Sequence, residues 1–340
     1  MSKALGIAAF ILAALTAGRA DVALFLEEPF GTFGGISPTG HAAIYLTRVC
    51  AASATQLRRC EPGEAGVVIS RYHKIAGYDW LAVPLVPYLY SVDGVEQIPQ
   101  RADARSVAAL RDSYRRAHLL SLAPSEAGHA PAGEWTQLVG SAYDRRIYEF
   151  MVATRPEQDD AFIEQFNRRK NRAHFNLLFH NCADFALSVL DFYYPHAVHR
   201  NIFADAGITT PKQVAKSLTS YCQRHPEVQC VSLVIPQVPG SLPRSEHVDG
   251  VLEALLKTKK YVVPLAVLHP VLTGGLAAAY LAEGRFNPKR KDVQVFDARA
   301  LPPQPVGTAN SVLADSTPPK LTRVSANREV SDQGTSPTRN

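Results

Sequence analysis

Five cysteines set the first constraint on this chain. Cys50 and Cys60 bracket the polar stretch AASATQLRR, Cys222 and Cys230 bracket QRHPEVQ, and Cys182 is left over. Four cysteines admit three connectivities; the two local ones are chosen because each pair flanks a loop. Rings of this kind persist in oxidising compartments, so an exported chain with stapled small loops is expected. The odd thiol is then a buried passenger, an intermolecular link or a nucleophile.

The leader agrees. Residues 1–20, MSKALGIAAFILAALTAGRA, have Lys3, an apolar run from Ala4 to Ala17, and Gly18 and Ala20 placed for cleavage before Asp21. That order is a secretory signal, and the run is short of the ~20 residues that span a bilayer. The expected location is the periplasm or cell envelope. The 36 basic and 31 acidic residues give a net charge of +5, too small and too scattered for a nucleic-acid partner. A hydrophobic fraction of 46% over 340 residues excludes a wholly disordered chain.

Short strands are expected at Val22–Leu26, Gly40–Leu46 and Gly66–His73, and helices at Asp103–Leu120, Gln158–Arg172, Cys182–Tyr193 and from Thr210-Pro211 to about Tyr221. The expected class is α+β, a small antiparallel sheet packed on helices. The core domain is read as 21–235, with 236–300 an extension and 301–340 a disordered tail rich in Pro, Ser and Thr. Within the extension, residues 262–282 form an apolar run long enough to span a bilayer. Pro264, Pro270 and Gly274-Gly275 would break a spanning helix, so the preferred reading is a segment packed on the domain or on a membrane surface.

Two places concentrate chemistry. His41 follows Gly40 at the start of a strand, and Cys182 follows Asn181 at the start of a helix. Asn181 as N-cap and Asp184 at the third helical position make a capping box. Cys182 then lies where unsatisfied N–H groups and the helix dipole lower a thiol pKa and can hold an oxyanion. His41 would be the general base. A third polar residue orients the histidine in such sites; His73, at the far end of the next strand, is the candidate, with Tyr72 the alternative.

The Asn181-Cys182 helix start after a strand histidine resembles the circularly permuted papain-like thiol enzymes of the NlpC type. The run Phe33-Gly-Gly-Ile-Ser-Pro-Thr-Gly-His41, the stretch Gly66–His73 and Asn181-Cys182 are similar to the Lnb N-terminal periplasmic domain family, over roughly residues 24–195. The resemblance implies a permuted papain-like core, a Cys–His pair matched to Cys182 and His41, and thioester chemistry at the cell envelope. Intramolecular acyl transfer on lipoproteins, known in that family, does not follow, because no multi-helix membrane domain succeeds the soluble part.

No cofactor is expected: neither GxGxxG nor GxxxxGK[ST] occurs, nor a GxSxG elbow. His41, His180 and Cys182 could in principle ligate zinc, but CxxC and HExxH are absent, so no metal is expected either. The function expected is an exported cysteine hydrolase or acyltransferase acting on an amide or ester of a peptide, lipoprotein or lipid in the envelope, with peripheral membrane contact through 262–282. The rival is a non-catalytic exported binding or scaffold domain on the same fold.

Overall fold

The computed structural model describes residues 20–31, 39–73, 75–126, 128–131, 134–172, 175–205, 207–288, 293–298 and 301. The leader, most of the Phe33–His41 run and the tail beyond 301 lie outside these residues. In chain order the strands are β1 (Ala20–Glu27), β2 (His41–Leu46), β3 (Val49–Ser53), β4 (Gln56–Arg59), β5 (Val67–Ser70), β6 (Leu81–Pro84), β7 (Ile147–Thr154), β8 (Cys230–Ile235) and β9 (Gln294–Val295). The helices are α1 (Leu85–Tyr90), α2 (Ala104–His118), α3 (Ser141–Asp144), α4 (Pro156–Arg168), α5 (Cys182–Tyr193), α6 (Ile202–Asp205), α7 (Pro211–Arg224), α8 (Val251–Lys257), α9 (Lys259–Leu268) and α10 (Pro270–Ala279).

Seven strands form one sheet in the order β6-β5-β2-β1-β7-β8-β9, antiparallel except where β9 joins β8 in parallel. The class is therefore α+β, as the residue pattern predicts. Alternation failed as a guide because both faces of the central strands are covered. Ala23 and Phe25 of β1 and Ala43 and Tyr45 of β2 face a core closed by Leu85, Tyr88 and Leu89 of α1 and Val107 and Tyr114 of α2. Val22, Leu24 and Leu26, with Ala42, Ile44 and Leu46, face a second core closed by α4, α5 and α7. Strand β7, which the sequence reading omits, is hidden for the same reason: Ile147, Tyr148, Glu149 and Phe150 are all buried, whereas β8, also omitted, buries only Ile235.

Both disulfides are as expected. Cys50–Cys60 ties β3 to β4, so the stretch read as a loop is a two-stranded hairpin, and Cys222–Cys230 ties the end of α7 to the start of β8. Cys182 is free. The apolar run 262–282 is divided at His269 between α9 and α10, each 10 residues long. Among the described residues no helix is long and apolar enough to cross a membrane.

Glu149 of β7 is a buried acid without compensation. It is 1% exposed and neither carboxylate oxygen has a hydrogen-bond partner. Burial, with Asp21 adding repulsion, pushes its pKa up to about 8. The folded state therefore holds this proton more tightly than the unfolded chain. The contribution is most favourable below the ordinary carboxylate pKa of 4.5 and is lost as pH rises to about 8, by at most about 5 kcal/mol. Glu149→Gln should leave the melting temperature at pH 5 nearly unchanged and raise it at pH 9. Parallel pH profiles for the two proteins in thermal unfolding would refute this account.

Candidate active site

His41 opens β2 because Gly40 lets it. Gly40 has φ +70°, and a Cβ there would lie 2.1 Å from the Glu27 carbonyl oxygen, so only glycine permits the close pairing of Glu27 with His41 across β1 and β2. The ring is fixed by Ser70, the last residue of β5. His41 Nε2 lies 3.0 Å from Ser70 Oγ, and Ser70 Oγ donates to the Ala42 carbonyl at 2.7 Å. A hydroxyl has one proton, and here it is spent on Ala42. Nε2 must therefore carry the imidazole proton and donate to Ser70, which leaves Nδ1 as the basic nitrogen. Tyr72 stacks on the other side of the ring, centroids 5.4 Å apart.

Cys182 begins α5. Asn181 is the N-cap, its Oδ1 accepting from Ala183 N (2.8 Å) and Asp184 N (3.0 Å), while Asp184 Oδ2 accepts from Asn181 N at 3.1 Å. The capping box is as the sequence predicts. Asn181 Nδ2 donates to Leu177 O and Thr209 O, so this amide is fully occupied in holding the helix start. With Ala183 and Asp184 amides committed to the cap, the Cys182 N–H is the helix donor left for an oxyanion. The sulfur itself accepts from the Ala42 N–H. The thiol thus rests against the residue next to His41, although 140 residues separate the two in the chain.

The approach to Cys182 is braced by a network the sequence reading missed. Arg71, 7% exposed, grips Asp79 with Nε and Nη2 (2.6 and 3.0 Å) and donates from Nη1 to the Asn181 carbonyl at 3.1 Å. Asp79 Oδ1 also meets His180 Nε2 at 3.0 Å. Asn171 Oδ1 accepts from Asp79 N and Trp80 N, holding the loop that carries the carboxylate. Burial raises the Asp79 carboxyl, but the Arg71 bonds and charge outweigh it and hold the group below its usual range. His180 belongs to this brace. Ser70 and Arg71 lie inside the Gly66–His73 stretch, yet nothing in their types marks them apart from their strand.

Beneath the site is a buried ion pair, Glu27 with Arg145, at 3.1 Å. Glu27 also accepts from the Tyr88 hydroxyl and, at 3.4 Å, from Ser141. Burial raises the Glu27 carboxyl and Arg145 opposes the rise. The same surroundings overturn the expectation of an activated thiolate. Burial drives Cys182 up to about 11, more strongly than the N–H groups of Ala42, Ala183 and Cys182 itself draw it down, and Glu27 adds to the rise. Burial and the Arg145 charge drive His41 down to about 3. At neutral pH the pair rests as neutral thiol and neutral imidazole.

Of the expected site residues, the structure brings together His41, Cys182, Asn181 and Asp184. His73 is elsewhere: it packs edge-on against Phe175 at 5.4 Å. β5 ends at Ser70, and beyond it Tyr72, not His73, is the residue that stacks on His41. The orienting partner is Ser70. His41, His180 and Cys182 do not gather into a ligand set. Among the described residues the ligand-type groups are Cys50, Cys60 and Glu64, where both sulfurs are in a disulfide, and His247, Asp249 and Glu253, where Lys257 and Lys212 already occupy the carboxylates.

No family model, no curated protein and no solved structure matches the chain.

The raised thiol has a measurable consequence. With its pKa about two units above the ordinary 9, Cys182 has roughly 100-fold less thiolate at pH 7 than the unfolded chain. Iodoacetamide labelling of the oxidised native protein should be slower by at least that factor than in denaturant, and should climb about tenfold per pH unit beyond pH 9. An inflection below pH 8 would contradict the neutral pair.

Proposed function

We propose that the chain is an exported cysteine hydrolase or acyltransferase that acts on an amide or ester of the cell envelope through a thioester on Cys182. The observation that carries this reading is the placement of Cys182 against Ala42, the residue next to His41, with the His41 tautomer set by Ser70. A permuted papain-like core, and kinship with the Lnb N-terminal periplasmic domain family, belong to the same proposal. A histidine at a strand start close to a cysteine at a helix start is what both require.

The chemistry follows from the neutral pair. A carbonyl enters beside the sulfur, and the thiol proton passes to His41 Nδ1 as the S–C bond forms. The Cys182 N–H holds the oxyanion. The imidazolium, steadied by the Nε2–H bond to Ser70, returns the proton to the departing amine or alcohol as the C–N or C–O bond breaks. Water, or an acceptor amine or hydroxyl, then attacks the thioester with His41 again as base, and the thiol is regenerated. Proton transfer coupled to attack suits a site in which neither partner is charged beforehand.

The uncharged state of the pair favours a second reading, a binding domain that keeps the arrangement without turnover. Acylation separates the two. Incubation at pH 8 with a p-nitrophenyl acyl ester should release nitrophenol in a burst and leave an acyl adduct on Cys182, seen by mass spectrometry. Cys182→Ala should abolish both, and His41→Ala should slow acylation by about 100-fold or more. Ser70→Ala should reduce the rate by about tenfold and shift its pH profile, with Ser70→Thr restoring it, whereas a merely structural serine would leave the profile in place. Equal nitrophenol release from wild type and Cys182→Ala would establish the binding-domain reading.

A further inference from the structure

Residues 259–279 leave the body of the protein as an apolar hairpin. The chain departs after α8 and returns at a π-helical turn, Tyr280–Gly284, where the Tyr280 hydroxyl donates to Glu253 Oε1 of α8 at 2.9 Å. Between these two points α9 runs out and α10 runs back, and neither helix buries a single residue. Val267, Leu268 and Val271, at the junction of the two helices, are 75%, 71% and 88% exposed. From Tyr261 to Ala282 there is no Asp, Glu, Lys or Arg. A soluble surface does not carry a charge-free apolar projection of this size without a partner.

We infer that this hairpin is a monotopic anchor that inserts into one leaflet of an anionic bilayer. Two observations select lipid as the occupant. The first is reach: a helix of 10 residues is about 15 Å long, half of the ~30 Å hydrocarbon core, so the tip at Leu268–Val271 would arrive near the bilayer midplane and turn back. Backbone groups inside each helix bond along it, and at the junction His269 N donates to Leu265 O and Thr273 N to His269 O. The second is charge: the base of the hairpin carries exposed Lys259 and Lys260 on the outgoing side and Arg285 on the return, while Lys257 pairs with Asp249 and Glu253 and the acid Glu283 pairs with Lys216. Apolar tip and basic rim match acyl chains and anionic headgroups in turn. The inference does not depend on the thiol chemistry.

The test uses the full chain with vesicles of phosphatidylcholine, with and without phosphatidylglycerol. Wild type should float with the anionic vesicles, and salt should weaken the association. Val267→Asp with Val271→Asp should reduce partitioning by at least about 100-fold. Lys259→Ser with Lys260→Ser should reduce it by roughly 25-fold on anionic vesicles alone, at about fivefold per lysine. The emission of a Val271→Trp variant should be quenched by lipids brominated on their acyl chains, a signal that anchoring by residues 1–20 alone would not produce. Unchanged near-ultraviolet dichroism in each variant would show that the body is intact. The inference is overturned if the Val271→Trp emission is not quenched. A lipid-free dimer seen by ultracentrifugation and dissolved by the two aspartates would equally overturn it, naming a second copy of the chain as the occupant.

Discussion

The two main-chain groups of Ala42 join the parts of the site. Its carbonyl takes the Ser70 proton and so dictates which nitrogen of His41 is basic; its N–H meets the sulfur of Cys182. Each of these bonds needs β5 to stop at Ser70, because a longer ladder would claim the Ala42 groups for Arg71. The strand does stop, and Arg71 turns instead to Asp79 and the Asn181 carbonyl. Ending a strand one residue early thus frees a peptide edge for the thiol and places a guanidinium behind the helix that carries it.

Burial is the main reason the site is neutral, and the Glu27–Arg145 pair adds to it. Burying a matched pair of charges is costly, and such a pair is strongly destabilising only when one partner is removed. With both present, the pair adds little net field but leaves Arg145 near His41 and Glu27 near Cys182, each opposing the charge its neighbour would acquire. An imidazolium–thiolate pair at rest is disfavoured from both ends. In the proposed acyl transfer, charge would have to be created and quenched in the same passage, which would tie proton transfer to the arrival of the carbonyl.

How much of this was legible in the residues follows from what each signal reports. The helix start at Cys182 was legible because Asn and Asp three positions apart act locally, through the first turn alone. Both disulfides were legible because each ring closes over a short loop. The glycines before His41 and Val67 were visible, and the structure gives their reason: at each, a Cβ would strike a carbonyl of the neighbouring strand. Ser70, Arg71, Asp79 and Arg145 were not legible, since their roles arise from register and from chain crossings that leave no local mark. His73 was preferred over Tyr72 at the far end of the strand, where alternation does not decide between them; in the structure Ser70 bonds His41, Tyr72 stacks on it and His73 packs on Phe175. The lowered thiol pKa failed in the same way. The helix terminus is a property of local sequence, whereas the burial that outweighs it belongs to the assembled core.

The segment between α5 and α8 ties the hairpin to the site. Arg200 and Thr209 both bond the Asp184 carboxylate in the first turn of α5, and Asp205 accepts from the Val251 N–H that opens α8. Lys212 on α7 reaches Glu253, and α6 packs against α10 and the π turn. The same stretch exposes Ile202, and the turn before Cys182 exposes Leu177 and Phe179 at 63% and 62%. Under the proposed function, the exposed apolar side chains of Leu177 and Phe179 just before Cys182 would suit a substrate that brings an acyl chain with it. The proposed anchor, tied through these contacts to the helix that Cys182 opens, would then bring the thiol to the membrane that holds such a substrate, so that encounter would become a search in two dimensions.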